Sequence, residues 1–128
     1  MMTNYEKVKE FHRLFGLRIG DNPVFPDDEE RALRIRLLKE EYEEYLDGEE
    51  KNDLAEVADG LTDMLYIIYG TMVSYGIPAD DIFSAIHQNN LTKLGPDGKP
   101  IIREDGKVLK PEGYKKFDAA KFLKKVGK

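Results

Sequence analysis

Residues 37–44 read Leu37-Leu38-Lys39-Glu40-Glu41-Tyr42-Glu43-Glu44, and residues 56–63 read Glu56-Val57-Ala58-Asp59-Gly60-Leu61-Thr62-Asp63. Both stretches set acids where a helix would be expected to carry leucine or isoleucine. At about 100° per residue, a helix over 28–47 brings Leu33, Leu37, Glu41 and Glu44 onto one line, with Glu40 alongside. Ile35, Leu38, Tyr42, Tyr45 and Leu46 make a second apolar face, so this helix is expected to be covered on two sides, as in a bundle interior. Over 52–74, Leu54, Val57, Leu61, Leu65, Ile68 and Met72 form one face, while Glu56, Asp59 and Asp63 run into Ile67 and Gly70 on another. Two neighbouring helices therefore carry acid toward protein.

Carboxylates gathered away from water repel one another and lose hydration, so they need a cation or they take up protons. Oxygen ligands at this density suit a hard divalent ion, magnesium with manganese as its substitute. A solvated charged face is the ordinary reading of a Glu-rich helix, and Glu43, Glu49 and Glu50 are read that way. The acids on the Leu33/Leu37 and Ile67/Gly70 lines are not.

Working outward, residues 3–15 form a short amphipathic helix with Tyr5, Val8, Phe11, His12 and Phe15 inward, closed by Gly16 and Gly20. After a loop, Asp27 or Asp28 caps the second helix, which is expected to end near Asp47-Gly48; Asn52 or Asp53 caps the third. Gly70 and Gly76 bracket its far end. Residues 79–92 make a fourth helix with Ile82, Ile86, Asn89 and Lys93 on its inward line and Asn90 beside Lys93 at i, i+3. An amide and an ammonium at the end of a buried stripe suit a nucleotide's base, sugar or phosphates; a frayed, solvated helix end fits the same spacing.

From Gly95 the glycine, proline and aspartate pattern reads as two turns around short extended pieces, either a plain surface hairpin or a basic flap over a polyphosphate. The tail from Phe117 to Lys128 is helical in composition, anchored by Phe122 and Val126. With 128 residues, 41% of them hydrophobic, the whole chain, 1–128, is read as one all-α domain with its basic flap and tail at about 95–128. A net charge of −5 argues against a general binder of nucleic-acid polymers. No cysteine means no disulfide framework and no thiolate metal site. A polar start and apolar runs broken by charge or glycine predict a soluble cytoplasmic protein without a membrane span.

Four helices, Glu-Glu-x-x-Glu on one and an acidic x-x-Asp on the next, resemble the all-α nucleoside triphosphate pyrophosphohydrolases of the MazG and phosphoribosyl-ATP pyrophosphohydrolase superfamily. The segments 7–13, 37–44, 58–66, 87–94 and 105–110 are similar in order and spacing to the dUTP-hydrolysing MazG-like branch. The family signature, E-x-x-E followed by E-x-x-D, maps its first half onto Glu41 and Glu44, with Glu40 as an extra acid. Its second half fits either Glu56-x-x-Asp59 or a register ending at Asp63. The latter puts Gly60 where the glutamate belongs and leaves Asp59 to substitute. A second departure is Lys115-Lys116-Phe117-Asp118, where relatives tend to carry a proline pair before the aspartate.

The resemblance implies a four-helix-bundle-type MazG-like fold with a short C-terminal hairpin-like segment and a tail helix. It implies metal-dependent hydrolysis of a nucleoside triphosphate at the α-phosphorus to monophosphate and pyrophosphate, as nucleotide-pool housekeeping, with dUTP the first substrate to try. Mg²⁺, or Mn²⁺ in its place, would be held by Glu40, Glu41, Glu44, Asp59 and Asp63, with Glu56 as a further candidate. Glu40 and Glu41 are the catalytic candidates, Glu40 as acceptor of the water's proton. Asn90 and Lys93, with Asn89, would hold sugar or phosphates; Lys107 and Lys110 would close over the triphosphate; Phe11 and His12 would approach the base. Relatives are dimers or dimers of dimers, so a homodimer at least is expected.

Two other readings stand beside this one: phosphoribosyl-ATP as the substrate, or a non-enzymatic helical module whose acids bind a basic partner. A di-iron carboxylate bundle is set aside, because His12 and His87 follow Lys9 and Ser84 rather than glutamate at the −3 position.

Overall fold

Short polar side chains fix where the helices begin in the computed structural model, which describes residues 1–127. Before α1 (Asn4–Phe15), the Thr3 hydroxyl accepts from the Glu6 N–H at 3.1 Å while the Glu6 carboxylate accepts from the Thr3 N–H at 2.8 Å, a reciprocal cap. Asp27 caps α2 (Asp28–Glu50) through the Glu30 N–H at 2.8 Å, and Asp53 caps α3 (Leu54–Tyr75) through the Glu56 N–H at 3.2 Å. α4 spans Ala79–Leu91 and α5 spans Ala119–Val126, the latter capped by Asp118. Strands β1 (Ile101–Ile102) and β2 (Val108–Leu109) pair antiparallel, Ile101 opposite Leu109. The chain is thus all-α with one small hairpin, in two compact units, residues 1–79 and 80–127.

In the first unit α2 and α3 run antiparallel in close contact. Gly48 faces Val57, Tyr45 faces Gly60, Arg34 reaches Ile67 and Thr71, and Glu30 accepts a hydrogen bond from the Ser74 hydroxyl. A Cβ at Gly60 would lie 2.9 Å from the Tyr45 Cα; one at Gly48 would lie 2.9 Å from the Val57 nitrogen. These glycines let the two backbones approach. This corrects the expected end of the second helix at Asp47-Gly48: Gly48 is buried mid-contact, α2 continues to Glu50, and the chain turns at Asn52, whose φ is 54°.

The two-sided cover expected for α2 is also corrected within the single chain. Ile35, Tyr42 and Leu46 stay exposed, Ile35 at 68%, as do Leu54, Leu61 and Leu65 on α3, Leu54 at 80%. The helices meet instead along the line through Arg34, Glu41, Tyr45 and Gly48.

The loop after α1 supplies what the end of α3 lacks, because the last carbonyls of a helix have no partner inside it. The Gly20 N–H donates to the Val73 carbonyl at 2.9 Å, Arg18 Nε to Ser74 at 3.0 Å, and the Val24 N–H to Tyr75 at 3.1 Å. Below this seam Val8, His12, Arg34, Val73 and Ser74 are buried. Arg34, 6% exposed, donates from Nε to the Thr71 hydroxyl and from Nη2 to the Ile67 carbonyl, each at 3.2 Å. Among the described residues no helix is long and apolar enough to cross a membrane.

Alanine in place of an exposed helical glycine ordinarily adds up to about 1 kcal/mol. At Gly48 and at Gly60 the sign should reverse, each substitution costing about 1–3 kcal/mol in urea denaturation through overpacking. A gain in stability at either position would mean that the helices do not meet there.

Candidate functional site

Arg34 and Glu41 are two charged residues on one face of α2, seven residues and therefore about 10 Å apart along the axis. Arg34 finds its partners on α3. Glu41 does not: it is half-buried, and its Oε2 is shut off from solvent without a hydrogen-bond donor. Its neighbours are two more acids, Glu44 one turn on and Asp63 across on α3. One carboxylate oxygen from each of the three lies within 4.8 Å of the others. Burial, then Glu44, then Asp63 push the Glu41 carboxyl up to about 7, because each disfavours a further negative charge.

The other predicted acids lie outside this converging group. Glu40 is exposed and lines a shallow depression with Glu43, Glu44 and Asp47. Glu56 sits with Asp47, Lys51 and Asp53 near the turn between the helices; Asp47 and burial raise its carboxyl, while Lys51 opposes them. Asp59 is exposed. Gly60, one turn before Asp63, is buried against Tyr45.

Of the two residues proposed for the base, Phe11 is half-buried, stacked on Phe15 at 4.2 Å between centroids and meeting the edge of Tyr66 at 5.6 Å. His12 is 2% exposed, and its Nδ1 lies 2.8 Å from the Arg18 carbonyl, so that nitrogen carries the proton and donates. Burial lowers its pKa, the Arg18 carbonyl opposes the shift, and nearby Arg34 adds to it.

In the second unit Asn89, Lys93 and Lys110 converge on a residue that the sequence reading passed over. Asn89 Nδ2 donates to the Tyr114 hydroxyl at 2.9 Å, and the Lys93 and Lys110 ammonium groups lie 5.9 and 5.6 Å from the Tyr114 ring centroid. A cleft of about 440 Å³ beside it is lined by Asn89, Thr92, Leu94, Pro96, Pro111 and Tyr114, among others. The only advance signal for Tyr114 is its place as an aromatic between Lys110 and the Lys115-Lys116 pair. Asn90 and Lys107 are exposed and do not join this group.

The profile of the phosphoribosyl-ATP pyrophosphohydrolase family matches residues 8–90, which include the acidic trio and Asn89. The chain belongs to the phosphoribosyl-ATP pyrophosphohydrolase family. An uncharacterised protein of Acanthamoeba polyphaga mimivirus is 31% identical over 131 residues, covering 97% of this chain and 49% of the viral one, so the chain spans about half the length of that relative. The crystal structure of a candidate NTP pyrophosphohydrolase from Exiguobacterium sp. 255-15 is 30% identical, covers 97% of this chain and 93% of that one, and superposes with a TM-score of 0.49.

Pyrophosphohydrolases of this family are commonly metal-dependent, and the donor set fits a divalent cation. Three carboxylates converge, all are oxygen donors, and the enclosed Glu41 Oε2 lacks a positive partner. Without a cation, the trio is relieved by a proton. Glu41 ordinarily titrates at 4.5 but in the fold holds its proton to about 7, so the folded state binds more protons across that window and stability falls as pH rises through it. Glu41→Gln mimics the protonated acid. In metal-free buffer its melting temperature should match wild type at pH 5 and exceed it at pH 8, and Mg²⁺ at pH 8 should raise only the wild type. Equal melting curves at both pH values would remove this account of the trio.

Proposed function

We propose that the chain hydrolyses a nucleoside triphosphate at the α-phosphorus, releasing the monophosphate and pyrophosphate, with dUTP the first substrate to try. The observation that carries this reading is the enclosed, donorless oxygen of Glu41 between Glu44 and Asp63. Membership of a pyrophosphohydrolase family supports the reaction class. Glu41, Glu44 and Asp63 would hold Mg²⁺, or Mn²⁺ in its place; when bound, such an ion offsets charge on phosphate oxygens and lowers the pKa of water.

The chain's own groups divide the remaining work. Glu40, exposed beside the trio on α2, is left to accept the proton of the attacking water. Arg34 ties α2 to α3, the helices that carry the acids, through Thr71 and Ile67, and His12 holds the loop after α1 by its bond to the Arg18 carbonyl. In the second unit Asn89 and Tyr114 form a polar and aromatic edge for a base or sugar, and Lys93 and Lys110 offer positive charge to phosphates. Asn90 and Lys107, an exposed amide and an exposed ammonium, remain candidate contacts for the nucleotide. The uncovered stripes of Ile35, Tyr42 and Leu46 on α2 and of Leu54, Leu61 and Leu65 on α3 support association with a second copy, as a dimer or a dimer of dimers.

The test is to incubate wild type and Glu41→Gln with a panel of ribo- and deoxynucleoside triphosphates plus Mg²⁺ or Mn²⁺ and to resolve the products chromatographically. Wild type should yield monophosphate and pyrophosphate, and the variant should lose about 100-fold or more in rate, as for other preorganised charge-stabilising groups. Cleavage of phosphoribosyl-ATP alone would move the substrate to the other member of the superfamily. Intact substrates and no stabilisation by metal would leave the interaction module.

Tyr114→Ala removes both the acceptor of Asn89 and the ring between two lysines. It should raise KM about tenfold, equivalent to about 1.4 kcal/mol, with a smaller change in kcat. An unchanged KM would exclude Tyr114 from the nucleotide's contacts.

A further inference from the structure

We infer that His12 is an acid-sensitive latch: with a neutral ring it ties the loop after α1 to the end of α3, and on taking up a proton it lets that seam open. The inference does not depend on the reading of Glu41, Glu44 and Asp63. Those acids lie further along α2 and α3, away from the loop.

His12 stands on α1 where α2, α3 and the loop meet. Its ring is 2% exposed, and Nδ1 donates to the Arg18 carbonyl at 2.8 Å. Nε2 faces Gly70 of α3: a Cβ there would lie 3.0 Å from Nε2 and would collide with the Arg34 Nη2. The side chain that Gly70 lacks thus leaves a small space shared by an imidazole nitrogen and a guanidinium. A neutral ring presents a lone pair to that space, which a cation tolerates; a protonated ring presents a second positive charge out of water. Arg34 cannot give up its own proton in answer.

The groups around the ring do not offset that charge. From α2, Arg34 opposes it; Glu30 favours it, but this carboxylate also serves Arg34 and accepts from the Ser74 hydroxyl. From α3, Tyr75 acts on Arg34. From the loop, the Arg18 carbonyl favours the proton, while the Arg18 Nε is turned to the Ser74 carbonyl. Burial leads, Arg34 adds to it, and together they hold His12 below its ordinary 6.5. Once the seam opens, the ring meets water and regains the ordinary value. The open form therefore binds more protons, so the latch holds above pH 6.5 and weakens as pH falls below it.

What opens is the loop and not the helix pair. Gly20, Arg18 and Val24 hold the last carbonyls of α3, groups that water can satisfy in their place. α2 and α3 stay joined through Gly48 and Gly60 at the other end of their contact. Glu41 titrates with the opposite sign, since its proton relieves the acidic trio as pH falls. Whole-chain melting blends the two effects, and only a local measurement separates them.

The experiment follows amide hydrogen exchange by NMR in the ¹⁵N-labelled, metal-free full chain at pH 7.5 and pH 5.0, each rate corrected for the intrinsic effect of pH. Protection at Gly20 and Val24 should fall about tenfold or more in wild type. It should fall less than twofold in His12→Asn, whose amide can donate to the Arg18 carbonyl without titrating. Amides of α3 beside Gly60 should keep their protection in both. An equal fall in wild type and variant, no fall in wild type, or a fall spread evenly over α3 would overturn the inference. The imidazole ¹⁵N shifts of wild type give a check that needs no variant: a His12 midpoint below 6.5 supports the latch, and one at or above 6.5 overturns it.

Discussion

The close antiparallel contact of α2 with α3 is the constraint from which the candidate site follows. Gly48 and Gly60 remove the side chains that would hold the two backbones apart, and the gap left is too narrow for a methyl group at either position. Larger residues along the same line then meet at short range: Arg34 with Thr71 and Ile67, Glu41 with Asp63. Wider spacing would let water between Glu41 and Asp63, and the acids would relax to ordinary solvated carboxylates.

Arg34 and Glu41 show one helix face carrying a charge that the chain itself satisfies and another that it leaves without a donor. Arg34 is buried in the interface, whereas Glu41 is half-buried with one oxygen, Oε2, enclosed. The guanidinium is met by a hydroxyl and a carbonyl of the same chain, and Glu30 adds a favourable charge. Its energetic demands are satisfied internally. Glu41 meets only acids, so its demand is answered by a proton or by a cation from outside. Buried polar groups are nearly always paired in folded proteins, and an orphaned one marks a place where something else belongs.

The second unit arranges its polar groups differently. Its nine lysines are spread along the chain from 93 to 125, and among the described residues Lys93 and Lys110 come to the same aromatic ring. Tyr114 gathers them because its ring face attracts ammonium groups and its hydroxyl engages Asn89. The nearby hairpin is held by local bonds: Arg103 to Asp105, and the Arg103 N–H to the Lys107 carbonyl at 2.8 Å.

The sequence by itself determined the helices, the caps of the second and third to within one residue, and the faces on which the acids lie, because these depend on neighbours within a few residues. Thr3, Asp27 and Asp53 cap helices through backbone groups three positions away, and the Glu41-x-x-Glu44 pair is one turn of α2. Periodicity alone could not choose among Glu56, Asp59 and Asp63, since all three share one side of α3 to within a turn. The register of α2 against α3 separates them: it brings a carboxylate oxygen of Asp63, and not of Asp59, into the group with Glu41 and Glu44, although both aspartates are exposed. The tertiary structure also decided that Gly48 packs rather than terminates, that His12 is spent on the Arg18 carbonyl, and that Tyr114 collects Asn89 and two lysines. These outcomes depend on contacts between residues far apart in the chain, which a helical period fixes in direction but not in partner.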